Sequence, residues 1–108
     1  MKQGSRIAAL TLLGAILAIP AMAQQTGAAD YKAKCAMCHG ADGIGDTPVG
    51  KSMKVHSLKS DEDVKATDAV LFKQTKEGVG KMPAYAGKLT DAQIQDVVTY
   101  IRSLQQQK

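Results

Sequence analysis

Residues 35 to 40, with the sequence CAMCHG, contain both cysteines of this 108-residue chain and one of its two histidines. Such a pattern occurs in three kinds of site: a redox-active disulfide, a zinc site, or the attachment point of a c-type haem. Each kind needs a different fold around the motif. The rest of the sequence can therefore discriminate among them.

Cys35, Cys38 and His39 fit the haem attachment pattern C-x-x-C-H. Two thiols three residues apart project from one face of a helical turn, so both can reach vinyl groups on one porphyrin edge. His39 follows Cys35 by four residues and can place an imidazole nitrogen on the iron. The spacing therefore favours a covalently attached haem with Cys35 and Cys38 as anchors.

The two alternatives find less support along the chain. A disulfide oxidoreductase needs a βαβ context, whereas the residues flanking the motif predict helix and loop. A zinc site needs four ligands, for which Cys35, Cys38, His39 and His56 are the nominal candidates. These four lack the paired spacing of zinc modules.

The amino terminus has the pattern of a cleavable signal peptide. Lys2 and Arg6 precede 13 apolar residues, 7 to 19, and Ala21-Met22-Ala23 supplies a small-x-small cleavage site. Thirteen residues are too few to span a bilayer, which takes about 20. We predict a signal peptide over residues 1–23, a single domain over residues 24–108 that does not span a membrane, and a location in the periplasm.

The predicted mature domain is small and weakly charged. Removing Lys2 and Arg6 lowers Lys plus Arg from 14 to 12 against 10 Asp plus Glu, so the net charge falls from +4 to +2. No basic patch interleaved with aromatics is visible, which argues against a nucleic-acid partner. With three Tyr, one Phe and no Trp, a domain of this size needs another group to complete its core.

Three helices joined by long loops are predicted. The first contains Ala28, Tyr31, Cys35 and Cys38 at helical spacing and stops at Gly40. Residues 41–60 predict loop. A second helix begins at Thr67 or Asp68, turns residues 70–72 to the interior and ends at Gly78. The third has a Thr90–Gln93 capping box, a Leu89–Ile94 staple and an apolar stripe; the stripe is Ile94, Val97, Val98, Ile101 and Leu104.

Three residues are candidates for a second iron ligand. Met82 lies between Gly80 and Pro83, in a non-helical loop that can present a thioether at a fixed angle. Met53 lies in a more polar stretch, where we expect core packing. His56 is flanked by polar residues and is expected to be a solvated loop histidine. Met82 is therefore the predicted ligand.

Other features carry little chemistry. The acidic run Asp61-Glu62-Asp63 is expected to be a solvated approach to a helix. No Ser-His-Asp set or carboxylate pair points to hydrolysis.

The chain resembles the class I monohaem cytochromes c, in particular short bacterial periplasmic members and their photosynthetic relatives. The resemblance is carried by CAMCHGADGIGDTPVGKSM and GKMPAYAGKLTDAQIQDVVTYIRSL. It implies an all-α cytochrome c fold of three to four helices around one haem c. It further implies that Cys35 and Cys38 form the thioethers, that His39 and Met82 are the axial ligands, and that the Pro48 carbonyl accepts a hydrogen bond from the ligating imidazole. It also implies that Gly27 and Tyr31 pack against Val97 and Tyr100, where the first helix crosses the last.

The function implied by this resemblance is one-electron transfer between redox proteins outside the cytoplasm by a six-coordinate haem, without catalysis. The protein is expected to be a monomer. Two alternatives stay open at this point: a haem peroxidase with an available sixth position, and a gas-binding sensor in which Met82 is displaced.

Overall fold

A computed structural model describes residues 11, 13–15 and 20–108. Six helices follow one another along the described chain: α1 (Pro20–Lys34), α2 (Ala36–His39), α3 (Pro48–Ser52), α4 (Asp61–Lys65), α5 (Asp68–Glu77) and α6 (Asp91–Gln106). The same residues form no strand, and only two isolated β-bridges occur among them, Val79 with Met82 and Ala86 with Leu89. The all-α prediction is confirmed.

Helix α6 forms one wall of the core. Its capping box is complete, because the Thr90 hydroxyl accepts from the Gln93 amide while the Gln93 side chain accepts from the Thr90 amide. The predicted stripe is buried throughout, at Ile94, Val97, Val98, Ile101 and Leu104. Burying each such side chain stabilises the fold by about 1.5–3 kcal/mol. This helix was predictable because its signals are local and all agree.

Helix α1 crosses α6 at a close contact made possible by Gly27. A methyl group added there would collide with the backbone carbonyl of Asp96 and lie 3.3 Å from Cβ of Tyr100. One turn later Tyr31 is fully buried, with its ring 5.1 Å from that of Tyr100. The predicted packing of the first helix on the last is confirmed.

Helix α5 supplies a second wall. Thr67 caps it, with its hydroxyl accepting from the Val70 amide, and Gly78 ends it, as predicted. Leu71 is buried and Phe72 packs against the core, but Val70 is 43% exposed. The prediction that residues 70–72 all face the interior is therefore wrong for Val70, because three consecutive residues span most of a helical turn.

Two short helices lie where the sequence analysis expected loop or a solvated approach. Thr47 caps α3 and Pro48 is its first residue, both favourable starts. Ser60 caps α4 through the Asp63 amide. Each helix has five residues, too few for a helical apolar period to show in the sequence. Their positions were set by packing instead.

Within the described ranges, no helix has both the length and the apolar character needed to cross a membrane. Most of the predicted signal peptide, residues 1–23, lies outside the described residues.

Candidate haem site

The cysteine motif lies where α1 ends and α2 begins. The chain turns at Cys35, whose carbonyl accepts hydrogen bonds from the amides of Cys38 at 3.2 Å and His39 at 2.9 Å. Gly40 then ends α2, and its carbonyl accepts a 2.7 Å bond from the buried Tyr31 hydroxyl. The two thiols and the imidazole are therefore carried on one short turn that is tied back to α1.

Residues 45–47 brace this turn from the other side. The amide of Gly45 donates to the His39 carbonyl at 2.7 Å. The Thr47 hydroxyl lies 2.7 Å from the Met37 carbonyl and 3.3 Å from that of Cys38. The backbone carbonyls of the motif thus have partners outside it, which fixes the direction of its side chains.

The two cysteines differ in environment. Cys35 is buried and Cys38 is half-buried, and both are free thiols. Burial raises the pKa of Cys35 to about 11, and negative charge on Asp30 and Cys38 raises it as well. The Cys35 thiol therefore keeps its proton near neutral pH when no metal is bound.

His39 combines burial with an unused polar atom. Burial lowers the pKa of its imidazole; His56 lowers it further, and Asp63 acts in the opposite direction. The neutral imidazole favoured here is the form that binds metals. Its Nδ1 is buried with no hydrogen-bond partner among the described residues. The predicted bond to the Pro48 carbonyl is thus not made in this structure, where Pro48 instead opens α3.

A cavity of about 340 Å³ lies between the motif and the core helices. Its walls are largely apolar and include Tyr31, Leu58, Leu71, Val97 and Ile101. Cys35, His39 and Met82 also line it. An adjoining cavity of about 90 Å³ shares these three residues and adds Cys38. An apolar chamber that meets two thiols, an imidazole with a free buried nitrogen and a thioether fits haem c.

Met82 is held by a tight loop between α5 and α6. The amide of Met82 donates to the Val79 carbonyl at 2.9 Å, and the Val79 amide donates back to the Met82 carbonyl at 3.2 Å. The Tyr85 hydroxyl donates to the Lys34 carbonyl at 2.9 Å, next to the motif. Burial raises the pKa of Tyr85, so this phenol remains a donor. The Met82 loop is thereby joined to the cysteine turn.

Gly78 determines how that loop leaves α5, and we expect Gly78→Ala to destabilise the protein by about 1–3 kcal/mol. Its φ of 76° and ψ of 166° lie in a region that only glycine adopts readily. An added methyl would lie 2.7 Å from the Met82 carbonyl oxygen. Gly87→Ala is the control, because Gly87 also has a positive φ, has no atom within 4 Å of an added methyl and does not line the haem cavity. Thermal unfolding of the haem-loaded protein measures the stability of both variants. Equal losses of stability would contradict the role given to the collision with the Met82 carbonyl.

The structure corrects the prediction for one residue of the site and shows where two others lie. Asp63 is buried rather than solvated, and its Oδ2 lies 3.0 Å from Nε2 of His56. His56 is largely exposed and lies in a loop, as expected, and it also lines the cavity. Met53 lines both cavities together with Met82. No local pattern marks these three residues, because their neighbours come from distant parts of the chain.

The alternatives for the cysteine motif lack their structural requirements. A βαβ unit for disulfide exchange is absent from the described part of the chain, which is helical. Among those same residues, no three side chains of His, Cys, Asp or Glu come together in a way that could hold a metal ion. The nominal zinc set is therefore not assembled.

Comparison with known proteins gives matches over most of the chain. A family model described as cytochrome C oxidase, cbb3-type, subunit III, matches residues 22–101. Cytochrome c6 of Parathermosynechococcus lividus is 37% identical over 75 residues, covering 69% of this chain and 83% of that protein. Cytochrome c6 of a Synechococcus species is 35% identical over 105 residues. The match covers 94% of this chain and 91% of that protein. A solved c-type cytochrome superposes with a TM-score of 0.68 at 27% identity. The superposition covers 74% of this chain and 98% of that cytochrome.

A helical fold around a chamber that meets C-x-x-C-H defines a haem-binding electron-transfer domain. The chain belongs to the cytochrome c family, as a small class I protein with one covalently bound haem c and its iron. It is an electron-transfer protein and not an enzyme, and its partners are redox proteins. The peroxidase alternative is thereby set aside.

Proposed function

We propose that this protein is a six-coordinate electron carrier that works in the periplasm. The observation that supports it best is the convergence of His39 and Met82 on one apolar cavity beside both cysteines. The bound haem supplies a one-electron Fe(II)/Fe(III) couple. The chain would provide the anchors, the two iron-binding donors and a largely apolar chamber.

Cys35 and Cys38 are the proposed thioether anchors. Both line the smaller cavity from the turn between α1 and α2, and Cys35 also lines the larger one. Their surrounding hydrogen bonds hold the backbone of this turn independently of the thiols. A haem attached there would have the cavity lined by residues of α5 and α6 available to it.

His39 and Met82 are the proposed axial ligands. The lowered pKa of His39 keeps its imidazole neutral, with a lone pair available for iron. The paired backbone bonds of Val79 and Met82 restrict the movement of the Met82 thioether. A thioether opposite an imidazole raises the reduction potential relative to two imidazoles. If both residues bind the iron, it would have no free coordination position for a substrate.

The proposed location rests on the leader. Lys2, Arg6, the apolar residues 7–19 and the Ala21-Met22-Ala23 site together form a signal-peptide pattern. Export also suits covalent attachment of haem outside the cytoplasm. We propose that residues 24–108 are the working domain.

The visible spectrum of the purified ferric protein tests the ligation. We expect a low-spin spectrum with a weak sulfur-to-iron band at its red end, and a reversible one-electron wave in voltammetry. Addition of cyanide or carbon monoxide should change the spectrum slowly or not at all at low concentration. A high-spin ferric spectrum with rapid ligand binding would instead favour a sensor whose sixth position is available.

A further inference from the structure

The cavity carries one hydrogen-bonded pair of ionisable side chains. Nε2 of His56 lies 3.0 Å from Oδ2 of Asp63, and both residues line the cavity. The Asp63 side chain is 9% exposed, whereas that of His56 is 66% exposed. The imidazole therefore joins a buried carboxylate to the solvent at the mouth of the haem chamber.

Asp63 is held firmly by the protein around it. Its amide donates to the Ser60 hydroxyl at the start of α4. The guanidinium of Arg102, on α6, donates to the Asp63 carbonyl at 3.1 Å and also bonds the Ala66 carbonyl. Nε of Arg102 pairs with Asp68 at 2.8 Å. Because Ser60 and Arg102 contact the backbone of Asp63, its carboxylate stays available to the histidine.

A buried carboxylate is costly unless it is paired, so Asp63 favours an N–H on Nε2 of His56. In the neutral ring the other nitrogen, Nδ1, is then an acceptor. After protonation Nδ1 becomes a donor and the ring carries a positive charge. Haem has two propionate carboxylates, which accept hydrogen bonds from such a donor. Nδ1 of His56 can therefore present either an acceptor or a positively charged donor to the haem, depending on the protonation of the ring.

We infer that His56, oriented by Asp63, is a propionate-binding residue whose protonation is linked to haem reduction. A histidine changes charge between about pH 5 and 8. A positive charge beside the chamber stabilises the reduced haem, which has one positive charge fewer than the oxidised form. When a redox partner delivers one electron to the iron, His56 takes up at most one proton from solvent. The reduction potential is therefore higher at low pH and falls as the pH rises through this range.

The other charged groups near the pair keep their charge over these pH values. Lysine and arginine side chains remain protonated there, and His39 is reserved for the iron in the proposed ligation. These groups are His39 on α2, Lys54 and Lys81 in the loops that line the cavity, and Arg102 on α6. Among the side chains near the pair, His56 is therefore the group whose charge changes, and the His56→Gln variant separates its effect from that of the propionates.

The inference rests on haem occupying this cavity, and the test separates it from the proposed axial ligation. The midpoint potential of the haem-loaded protein is measured across about pH 5 to 8, together with the red-end sulfur band. We expect the potential of the wild type to fall with pH. His56→Gln should give a flat curve at the high-pH limit of the wild type. His56→Lys should give a flat curve at its low-pH limit.

Two further variants test the role of Asp63. Asp63→Asn removes the carboxylate that pairs with Nε2 of His56 at 3.0 Å and should alter the fall of the potential with pH. Lys65→Gln is the control: it removes a charge from the exposed end of α4, away from the cavity, and should retain the wild-type curve. The histidine ring signals in NMR should titrate at higher pH in the reduced protein than in the oxidised protein.

An unchanged slope in His56→Gln would overturn the inference, since another group would then titrate. Loss of the slope in Lys65→Gln would also overturn it, as general surface charge would then be sufficient. The red-end band should be present in every variant. Its absence from the wild type would contradict ligation by Met82 without affecting the conclusion on His56.

Discussion

Replacement of both Cys35 and Cys38 by alanine is expected to yield a chain that neither retains haem nor folds cooperatively. The haem cavity of about 340 Å³ lies against the core residues of α1, α5 and α6. Without haem, the apolar side chains around this cavity would lose the burial that the porphyrin provides. Small domains have only about 5–15 kcal/mol of net stability. Haem attachment and folding should therefore be one event.

Circular dichroism of the haem-free double variant measures this effect, with haem retention assayed after denaturation. Met37→Ala is the matched control, because Met37 lies between the two cysteines and is 72% exposed. It should retain haem and unfold cooperatively. A sharp cooperative transition in the haem-free double variant would show that the polypeptide core is sufficient by itself.

Met82→Ala is expected to open the sixth coordination position. The variant should lose the red-end sulfur band, show a lower reduction potential and bind cyanide or carbon monoxide readily. Affinity for these ligands should rise on the order of tenfold or more, since each 1.4 kcal/mol of a displaced bond is a factor of ten. Spectral titration and voltammetry measure both effects.

Met53→Ala is the control for this experiment, because Met53 lines the same two cavities as Met82. It should retain the band and the slow ligand binding of the wild type. The backbone of the two methionines is held differently. Reciprocal backbone bonds join Met82 to Val79, whereas Met53 directly follows the five-residue helix α3. The opposite pattern in the two variants would assign the iron to Met53.

The position of the His56–Asp63 pair complements the ligation. His39 and Met82 would set the potential through the bonds to iron, whereas His56 would adjust it through charge at the chamber mouth. The structure links these influences, because His56 and Asp63 act on His39 in opposite directions. Measurements of potential against pH in the Met82 and His56 variants should therefore separate coordination from charge.

The sequence alone determined the features whose cause is local. The C-x-x-C-H spacing identified the haem attachment turn, and the capping box with its apolar stripe predicted α6. Gly78 marked the end of α5 because few other residues adopt its backbone conformation. Each of these signals is contained within a few neighbouring residues, so no knowledge of the remaining chain was needed.

Only the tertiary structure decided which polar residues face the haem chamber. Asp63 belongs to an acidic run that is typical of solvent, but α4 packs it beside α6, where Arg102 holds its backbone. His56 and Met53 reach the cavity because the chain between α2 and α4 folds over it. Burial depends on contacts between segments far apart in sequence. A pattern within one segment cannot report such contacts, which is why the burial of Asp63 was not predicted and the cavity contacts of His56 and Met53 were not visible in the sequence.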